Sequence, residues 1–325
     1  MPSDPVLPVL SVVVPCFNEA EGLPGFHERL QAVMTAIGLA WEVVYVNDGS
    51  RDRTLSVIDR LRAVPGSGAV ACLNLSRNFG KEIALTAGLD HARGTGACIV
   101  IDADLQDPPE VIAALVDAWR EGIDMVYAQR RARQGDSWLK RLTAKAFYRL
   151  MRRIGDRVVM PPDTGDFRLI SRRAVNSLLA LRERHRFMKG LFAWIGYPAR
   201  AVLYDRDPRV GGRSSFSYWS LWNFALEGIT SFTVVPLRVA TYIGLLVALF
   251  SIVYGGFLVI RTLAFGNPVP GYPSLMAVIT FLGGVQLVTL GVVGEYLGRI
   301  FNETKQRPLY VVERFEAART VGDRT

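Results

Sequence analysis

The first half of the chain alternates short apolar runs with stretches whose apolar residues recur at helical spacing. The apolar runs predict buried strands, because they are short and rich in β-branched and aliphatic residues. They lie at Leu10 to Val14, Glu42 to Val46, Ala69 to Leu75, Cys98 to Ile101 and Asp124 to Ala128. This alternation predicts an α/β fold with a mostly parallel sheet and helices on both faces.

Two uncharged stretches near the C-terminus predict transmembrane helices. Val239 to Ile260 and Leu275 to Gly294 contain no charged residue. About 20 apolar residues, rising about 1.5 Å each, cross a hydrocarbon core of roughly 30 Å. A helical hairpin buried in a soluble core is the alternative, although such cores rarely need stretches of this length. Basic residues lie beyond the outer ends, at Arg238, Arg299 and Lys305.

The positive-inside rule places these basic flanks on the cytoplasmic side. We therefore expect a multi-pass protein of the inner (cytoplasmic) membrane. Tyr218 to Phe232 mixes aromatic, aliphatic and a few polar residues, which is typical of a helix in the membrane interface. The predicted organisation is a cytoplasmic globular domain over 1–215, interfacial amphipathic helices over 216–237, a two-helix transmembrane hairpin over 238–298 and a cytoplasmic tail over 299–325.

The net charge of +8 raises the question of a nucleic-acid partner. No zinc-ligand spacing, helix-turn-helix or aromatic RNA-binding signature is present in the sequence, so we expect no nucleic acid. Anionic lipid and phosphorylated substrates account for the basicity as well. The three cysteines form no CxxC pair and lie in or beside apolar runs, which is typical of core residues in a reducing compartment.

Two carboxylates follow the fourth predicted strand, one residue apart. Asp102 and Asp104 lie just beyond Ile101, and Pro108-Pro109 opens the next helix. In open α/β sheets ligands bind beyond the carboxyl ends of the strands. Carboxylate oxygens suit Mg²⁺ or Mn²⁺, and Mg²⁺ is usually held by one or two carboxylates plus substrate phosphates. A metal site that receives a diphosphate is one interpretation, and a helix cap with a solvated turn is the other.

Polar residues also follow the other predicted strands. The first strand ends at Pro15-Cys16-Phe17-Asn18-Glu19, the second at Asn47-Asp48-Gly49-Ser50 and the third at Ser76 to Lys81. Neither the G-x-G-x-x-G fingerprint nor the G-x-x-x-x-G-K-[ST] loop occurs in the sequence. A Rossmann dinucleotide site and a P-loop are therefore excluded, and a nucleotide bound by other means is expected at this edge of the sheet.

The second half of the chain adds basic segments and one more acid. Arg130 to Arg153 is densely basic, with apolar residues along one helical face. A solvated helix on the sheet and a basic amphipathic helix near lipid or phosphate are equal alternatives for it. Asp166 is predicted in a turn that leads into a strand, and Arg209 to Phe216 predicts a mobile, glycine-containing basic loop.

Together these motifs resemble the family 2 glycosyltransferases of Rossmann-like GT-A fold. The closer resemblance is to the polyprenyl-phosphate glycosyltransferases, which include bactoprenol glucosyltransferases and dolichyl-phosphate mannose synthases. The matching motifs are Val14-Pro15-Cys16-Phe17-Asn18-Glu19, Asn47-Asp48-Gly49-Ser50, Asp102 to Glu110, Gly165-Asp166-Phe167-Arg168-Leu169, Gly294 to Ile300 and Arg307-Pro308-Leu309-Tyr310. The resemblance covers nearly the whole chain and makes 1–215 a GT-A catalytic domain.

The resemblance also implies roles for the residues at the strand ends. The nucleotide-binding positions are Pro15, Asn18, Glu19 and Asp48. The positions that bind or flank the metal are Asp102, Asp104 and Gln106, with Asp104 the principal one and Asp102 also contacting the donor. Asp166 falls on the acceptor side, where an Asp is a general base when the acceptor is a hydroxyl. A polyprenyl phosphate is already anionic, so we expect Asp166 to orient the sugar or the acceptor.

Cations are needed where an anionic donor meets an anionic acceptor. Arg209 matches the family's loop arginine, but Ser215 stands where that loop usually has a lysine. Arg213, Arg131 and Lys189 are the candidates to replace it, because arginine in particular binds phosphate in a bidentate manner.

The reaction implied is an inverting, metal-dependent transfer of a hexose from a nucleotide diphosphate sugar to undecaprenyl phosphate at the cytoplasmic leaflet. UDP-glucose is the first choice of donor. GDP-mannose, UDP-galactose, a UDP-aminosugar or a non-catalytic membrane-tethered scaffold are the alternatives. A polysaccharide synthase is disfavoured because the sequence lacks a Q-x-x-R-W segment and further apolar spans. The oligomeric state is open, with Arg130 to Ile154 and the membrane helices as candidate contacts in a homo-oligomer.

Overall fold

A computed structural model describes residues 7–64, 68–131, 164–184, 186–205, 235–266 and 271–318. The strands are β1 Leu10–Cys16, β2 Trp41–Asn47, β3 Ala69–Leu75, β4 Ala97–Val100, β5 Met125–Arg130, β6 Thr164–Ser171, β7 Ala199–Tyr204 and β8 Val312–Glu316. The helices are α1 Leu23–Ile37, α2 Thr54–Ala63, α3 Lys81–His91, α4 Val111–Arg120, α5 Arg172–Ala180, α6 Met188–Trp194, α7 Val235–Phe265 and α8 Tyr272–Thr304.

The described strands form one sheet in the order β7-β5-β6-β4-β1-β2-β3-β8. The pairs β4–β1, β1–β2, β2–β3 and β5–β7 are parallel, whereas β8 and β6 pair antiparallel to their neighbours. The carboxyl ends of β1 to β4 therefore meet at one edge. The predicted α/β class with a mostly parallel sheet is confirmed.

The core lies on both faces of the sheet because strand residues alternate in direction. Val12 and Val14 pack with Phe26 of α1, whereas Val13 packs on the other face with Leu85 of α3. Helix α3 approaches the sheet closely at one position: a Cβ on Gly88 would lie 2.3 Å from Val13 Cγ1. The prediction of helices on both faces is therefore confirmed.

The two C-terminal helices carry the apolar stretches. Val239–Phe265 and Val278–Thr304 are long and apolar enough to cross a membrane, and their most apolar segments have none of their residues buried inside the protein. A hairpin in the core of a soluble protein would instead have most of these residues buried, so the structure disfavours that alternative.

One expectation about the second half changes. Asp166 lies within strand β6, paired with β4 and β5, and not in a turn before it. Strand β6 begins at Thr164, which pairs with Gln129 of β5, so the strand includes Asp166. In the predicted basic segment Arg130 to Arg153, Arg130 ends β5 and Arg131 follows it, and the other residues lie outside the described part of the chain. In the predicted interfacial helices over 216–237, residues 235–237 begin α7 and the others lie outside the described residues as well.

The predicted tail contributes a strand to the sheet. Strand β8 pairs antiparallel with β3, with Leu73 opposite Phe315. Arg62 forms an ion pair with Glu316, and Arg314 NH2 lies 2.6 Å from Asp59 Oδ1. The chain that leaves the apolar helix α8 is therefore tied back to the edge of the sheet.

A buried ion pair gives a test of the fold. Glu42 has 1% of its side chain exposed and accepts hydrogen bonds from Nε and NH2 of Arg93 at 2.9 and 2.7 Å. Its Oε1 accepts from Ser11 Oγ at 2.6 Å. Glu42→Gln removes the negative charge and replaces one acceptor oxygen by an amide N–H₂ group, which cannot accept the hydrogen bonds from Arg93. We expect it to cost about 2–3 kcal/mol and to lower the apparent Tm by roughly 4–12 °C in scanning fluorimetry.

The matched control is Glu121→Gln. Glu121 pairs with Arg200 at 2.5 Å, but the two side chains are 60% and 45% exposed. An exposed pair contributes less than about 1 kcal/mol. Equal shifts for the two variants would contradict the role assigned to Glu42.

Candidate active site at the carboxyl edge of the sheet

The candidate site is a cleft at the carboxyl ends of β1 to β4. Each strand ends in a polar loop, and the parallel pairing brings those loops together. The lining residues are Pro15, Cys16, Phe17, Glu19, Asp48, Asn78, Lys81, Ala84, Asp102, Ala103 and Asp104. The structure thus brings together Pro15, Glu19, Asp48, Asp102 and Asp104 from the predicted set.

Asn18 holds the first two loops against each other. Its backbone has φ of 57°, in the left-handed region that asparagine tolerates better than most residues. Its N–H donates to Ser50 Oγ at 3.0 Å, and its Oδ1 accepts from the N–H of Arg51 at 2.9 Å. Its amide oxygen is therefore engaged within the protein, and nucleotide contact by Asn18 stays a prediction.

Asp48 connects the loop after β2 to the loop after β3. Its Oδ1 accepts from the N–H of Phe79 at 2.7 Å, and its Oδ2 accepts from the N–H of Gly80 at 2.9 Å. Burial raises the pKa of this carboxyl, and the two N–H groups offset part of that effect. Each carboxylate oxygen has a second lone pair. Asp48 can therefore hold this loop and still accept a bond from a ligand.

Asp104 sits at the tip of a tight turn. Leu105 has φ of 56°, and the turn lets the N–H of Gln106 donate to Asp104 Oδ1 at 3.1 Å. Gln106 itself is buried, and its role as a metal ligand stays a prediction. Within the described ranges no group of three or more His, Cys, Asp or Glu side chains could hold a metal. Two carboxylates completed by substrate phosphates fit Mg²⁺ or Mn²⁺ nonetheless.

Lys81, at the start of α3, joins two acids from different strands. Its Nζ lies 2.7 Å from Asp102 Oδ2 and 2.8 Å from Asp166 Oδ2. Asp166 Oδ1 is buried and has no hydrogen-bond partner among the described residues. Burial raises the pKa of Asp102, with Lys81 opposing it and Asp166 reinforcing it. A single ammonium thus compensates two neighbouring carboxylates.

Asp166 is surrounded by further charged groups. Burial raises its pKa, but the cations, Lys81 first and then Lys189, lower it more, so the net direction is downward. Arg168 donates to the carbonyls of Asp166 and Gly165, and burial lowers its pKa to about 10. Glu82 accepts a hydrogen bond from the N–H of Met188 at 3.2 Å. Burial, and to a smaller extent the charge of Asp166, raises the pKa of Glu82 to about 7.

Asp107 anchors the same turn to the outer strands. Its Oδ1 accepts a hydrogen bond from the hydroxyl of Tyr204 on β7, and Arg130 NH2 lies 3.8 Å from the same oxygen. Burial raises the pKa of Tyr204 to about 12, and the bond to Asp107 adds to this. These contacts orient the segment that carries Asp102 and Asp104.

The predicted cations are only partly brought to the cleft. Lys189 is close enough to lower the pKa of Asp166, after the larger effects of burial and Lys81. Arg131 instead lies 3.6 Å from Asp205, with both side chains mostly exposed. Arg209 and Arg213 lie outside the described residues, so their roles stay predictions.

The sequence interpretation missed Lys81, Glu82 and Arg168 as parts of the site. For Lys81 a signal was present: Gly80-Lys81 opens a helix directly after a buried strand, where ligands bind in such sheets. Arg168 lies within the Gly165 to Leu169 motif. Glu82 carries no comparable signal, because its contact with Met188 joins residues that are far apart in the sequence.

Close approach of two loops at Gly49 allows a test of the cleft. Gly49 has φ of 65°, and a Cβ there would lie 2.4 Å from the carbonyl carbon of Arg77 and from the nitrogen of Asn78. Gly49→Ala must displace the loop after β3. We expect amide exchange at Phe79 and Gly80 to accelerate at least about tenfold, which corresponds to about 1.4 kcal/mol of lost local stability.

Gly25→Ala is the control, because nothing lies within 4 Å of a Cβ at that position in α1. Exchange is measured by hydrogen–deuterium mass spectrometry on both variants. Unchanged protection at Phe79 and Gly80 in Gly49→Ala would contradict the loop contact.

Comparisons with known proteins match both halves of the chain. Residues 11–179 match the model of glycosyl transferase family 2, and residues 235–300 match that of the GtrB C-terminal hairpin. An uncharacterized glycosyltransferase of Synechocystis sp. is 54% identical over 93% of this chain and 94% of its own length. The bactoprenol glucosyl transferase of Shigella phage SfV is 51% identical over 94% of this chain and 98% of its own.

Among solved structures, mannosyl-3-phosphoglycerate synthase from Rubrobacter xylanophilus is similar with a TM-score of 0.46 and 21% identity, over 68% of this chain and 71% of the other. The family model covers more than half of the chain, and the two relatives align with more than nine-tenths of it. The chain therefore belongs to glycosyltransferase family 2.

Proposed function

We propose that this glycosyltransferase moves glucose from UDP-glucose to undecaprenyl phosphate at the cytoplasmic face of the membrane, with inversion at the anomeric carbon. The observation that carries the proposal is the 51% identity to a bactoprenol glucosyl transferase over 94% of this chain. That similarity spans the acidic cleft and the apolar hairpin together. A donor site and a membrane anchor are the two parts that this reaction needs.

The cleft suits a nucleotide diphosphate sugar. Its lining residues fall into two groups by position in the chain: Pro15, Glu19 and Asp48 follow β1 and β2, and Asp102 and Asp104 follow β4. We assign the nucleoside to the first group, where a carboxylate can accept from base or ribose donors. The diphosphate then lies toward the second group.

Asp104 and Asp102 are the residues that would hold a divalent metal, with Gln106 as the third proposed ligand. Bound Mg²⁺ or Mn²⁺ supplies positive charge to the diphosphate as the anomeric bond breaks, the largest charge change in the reaction. The turn at Leu105 positions Asp104 in the cleft. Asp107, through Tyr204, holds the same segment to the sheet.

Bond changes in this transfer need no proton. The C1–O bond of the sugar breaks with its electron pair going to the diphosphate, and an oxygen of the lipid phosphate supplies the pair for the new C1–O bond. A general base works best with a pKa near the working pH. The pKa of Asp166 is shifted downward by Lys81 and Lys189 against the effect of burial, so we assign Asp166 an orienting role.

We propose that the hairpin holds the cleft near the lipid phosphate. The end of α8 contacts the catalytic domain, where Glu303 Oε1 accepts from the N–H of Arg184 at 2.7 Å. Arg184 lies a few residues before Lys189 in the sequence. Lys189 is one of the cations that lower the pKa of Asp166. We propose that Lys189, together with Arg209 and Arg213, binds the acceptor phosphate. Arg131 is the weaker candidate because it pairs with Asp205.

Transfer of labelled sugar into organic-extractable lipid tests the function. Purified protein is given undecaprenyl phosphate, Mn²⁺ or Mg²⁺ and one of UDP-glucose, UDP-galactose, UDP-N-acetylglucosamine or GDP-mannose. We expect UDP-glucose to exceed the other donors at least about tenfold in initial rate, since pockets that bond sugar hydroxyls reject epimers strongly. Preference for another donor would correct the substrate. No lipid label with any donor, from folded protein, would overturn the lipid acceptor and favour a scaffold.

Asp104→Asn tests the metal site. Loss of one carboxylate weakens charge compensation at the leaving group, and we expect a fall in transfer rate of at least about 100-fold. The apparent Tm should change little, because the one hydrogen bond described for its side chain comes from a neighbouring N–H. Asp117→Asn is the control, since Asp117 on α4 is 69% exposed and pairs with Arg120. Full activity of Asp104→Asn would remove Asp104 from the site.

A further inference from the structure

Lys81 connects the two functional sides of the cleft. Its ammonium contacts Asp102, which belongs to the proposed donor and metal side, and Asp166, which belongs to the acceptor side. Both carboxylates approach from neighbouring strands, because β4 pairs with β6. The side chain of Lys81 is 45% exposed and lines the cleft, so a ligand can reach the ammonium.

A lysine at this position can exchange partners without moving the backbone. The ammonium carries three donors at the end of a flexible four-carbon stem. Two donors are used by Asp102 and Asp166, which leaves a third that can bind a ligand. Release of Asp102 would leave the bond to Asp166 intact.

The contact with Asp102 places a cation on the carboxylate that the metal needs. A divalent ion bound alone at Asp102 would displace the ammonium from Asp102 Oδ2, and of the two ion pairs described for Lys81 only the one with Asp166 would remain. A diphosphate provides acceptor oxygens for the ammonium. Metal and nucleotide therefore assist each other at this site.

We propose that Lys81 is the resident counter-ion of the donor-free cleft, which occupies Asp102 until a nucleotide diphosphate arrives with its metal and then passes to the diphosphate while keeping Asp166. The inference rests on the proposed function, because the donor's diphosphate and metal displace the ammonium. Its consequence is that divalent metal binds tightly only together with the nucleotide.

Binding measurements on full-length protein in detergent test the inference. Electron paramagnetic resonance of free Mn²⁺ gives the affinity for Mn²⁺ alone, and calorimetry gives the affinity for UDP with saturating Mn²⁺. For Lys81→Gln we expect Mn²⁺ alone to bind at least about tenfold more tightly and UDP with Mn²⁺ at least about tenfold more weakly, each factor equal to about 1.4 kcal/mol. Shifts of opposite sign are the signature of an exchanged counter-ion.

Two controls separate this role from a structural one. Lys81→Arg keeps the charge and should retain weak binding of Mn²⁺ alone. Arg120→Gln removes an exposed positive charge on α4, with 48% of the arginine side chain exposed, and should leave both affinities unchanged. Tighter binding of Mn²⁺ alone by either control would overturn the assignment to Lys81.

The outcomes also separate this inference from the proposed reaction. Unchanged or weaker binding of Mn²⁺ alone by folded Lys81→Gln would overturn the inference even where lipid glucosylation is observed. If the two affinities shift in opposite directions but no lipid product forms with the wild-type protein, the inference is upheld and the assignment of undecaprenyl phosphate as acceptor is overturned. Where Lys81→Gln does not fold, the wild-type protein decides: UDP must strengthen Mn²⁺ binding, and an affinity that UDP does not change overturns the proposal.

Discussion

The ion-pair triad of Asp102, Lys81 and Asp166 is the interaction on which the candidate site depends. Two neighbouring carboxylates removed from water cannot both stay ionised without a counter-ion. Lys81 supplies it at 2.7 and 2.8 Å. The pKa of Asp102 is nevertheless raised, by burial first, whereas the net shift of Asp166 is downward. The Oδ1 of Asp166 is buried and has no hydrogen-bond partner in the described part of the chain.

The position of Lys81 depends in turn on the loop after β3. Asp48 binds the N–H groups of Phe79 and Gly80, directly before Lys81, and Gly49 permits the close approach. Strand β8 supports the same loop, because the N–H of Ser76 donates to the carbonyl of Val311 at 3.0 Å. Since β8 follows the apolar helix α8 in the chain, these contacts connect the segment after α8 to the cleft.

The fold class and the location of the cleft could be predicted from the sequence because both follow from local patterns. Short apolar runs predict the parallel strands, and polar residues such as Asp48 and Asp102 follow them directly. Strand β8 was not predicted: Val312–Glu316 is short and rich in charge, and its pairing with β3 is set by contacts more than 200 residues apart in the chain, such as Arg314 with Asp59.

The partners of the site residues were the part that sequence reasoning could not supply. Glu82 meets Met188, and Lys81 meets Asp166, across large separations that no local pattern encodes. Asp166 was predicted in a turn, whereas strand β6 runs from Thr164 to Ser171 and its first residue pairs with Gln129 of β5. At Asp166, pairing between strands that are distant in the sequence outweighed the local preference for a turn.

The charge of the acceptor explains why such a site can hold Asp166 in its ionised form. Transfer to a hydroxyl requires a base that accepts a proton near neutral pH, which would favour a carboxyl with a raised pKa. A lipid phosphate brings its own negative charge, so the protein must supply cations next to the acid and not a proton acceptor. In the proposed function Lys81 and Lys189 supply these cations, and both lower the pKa of Asp166 against the effect of burial. The same cations that make Asp166 a poor base make its surroundings suitable for a phosphate.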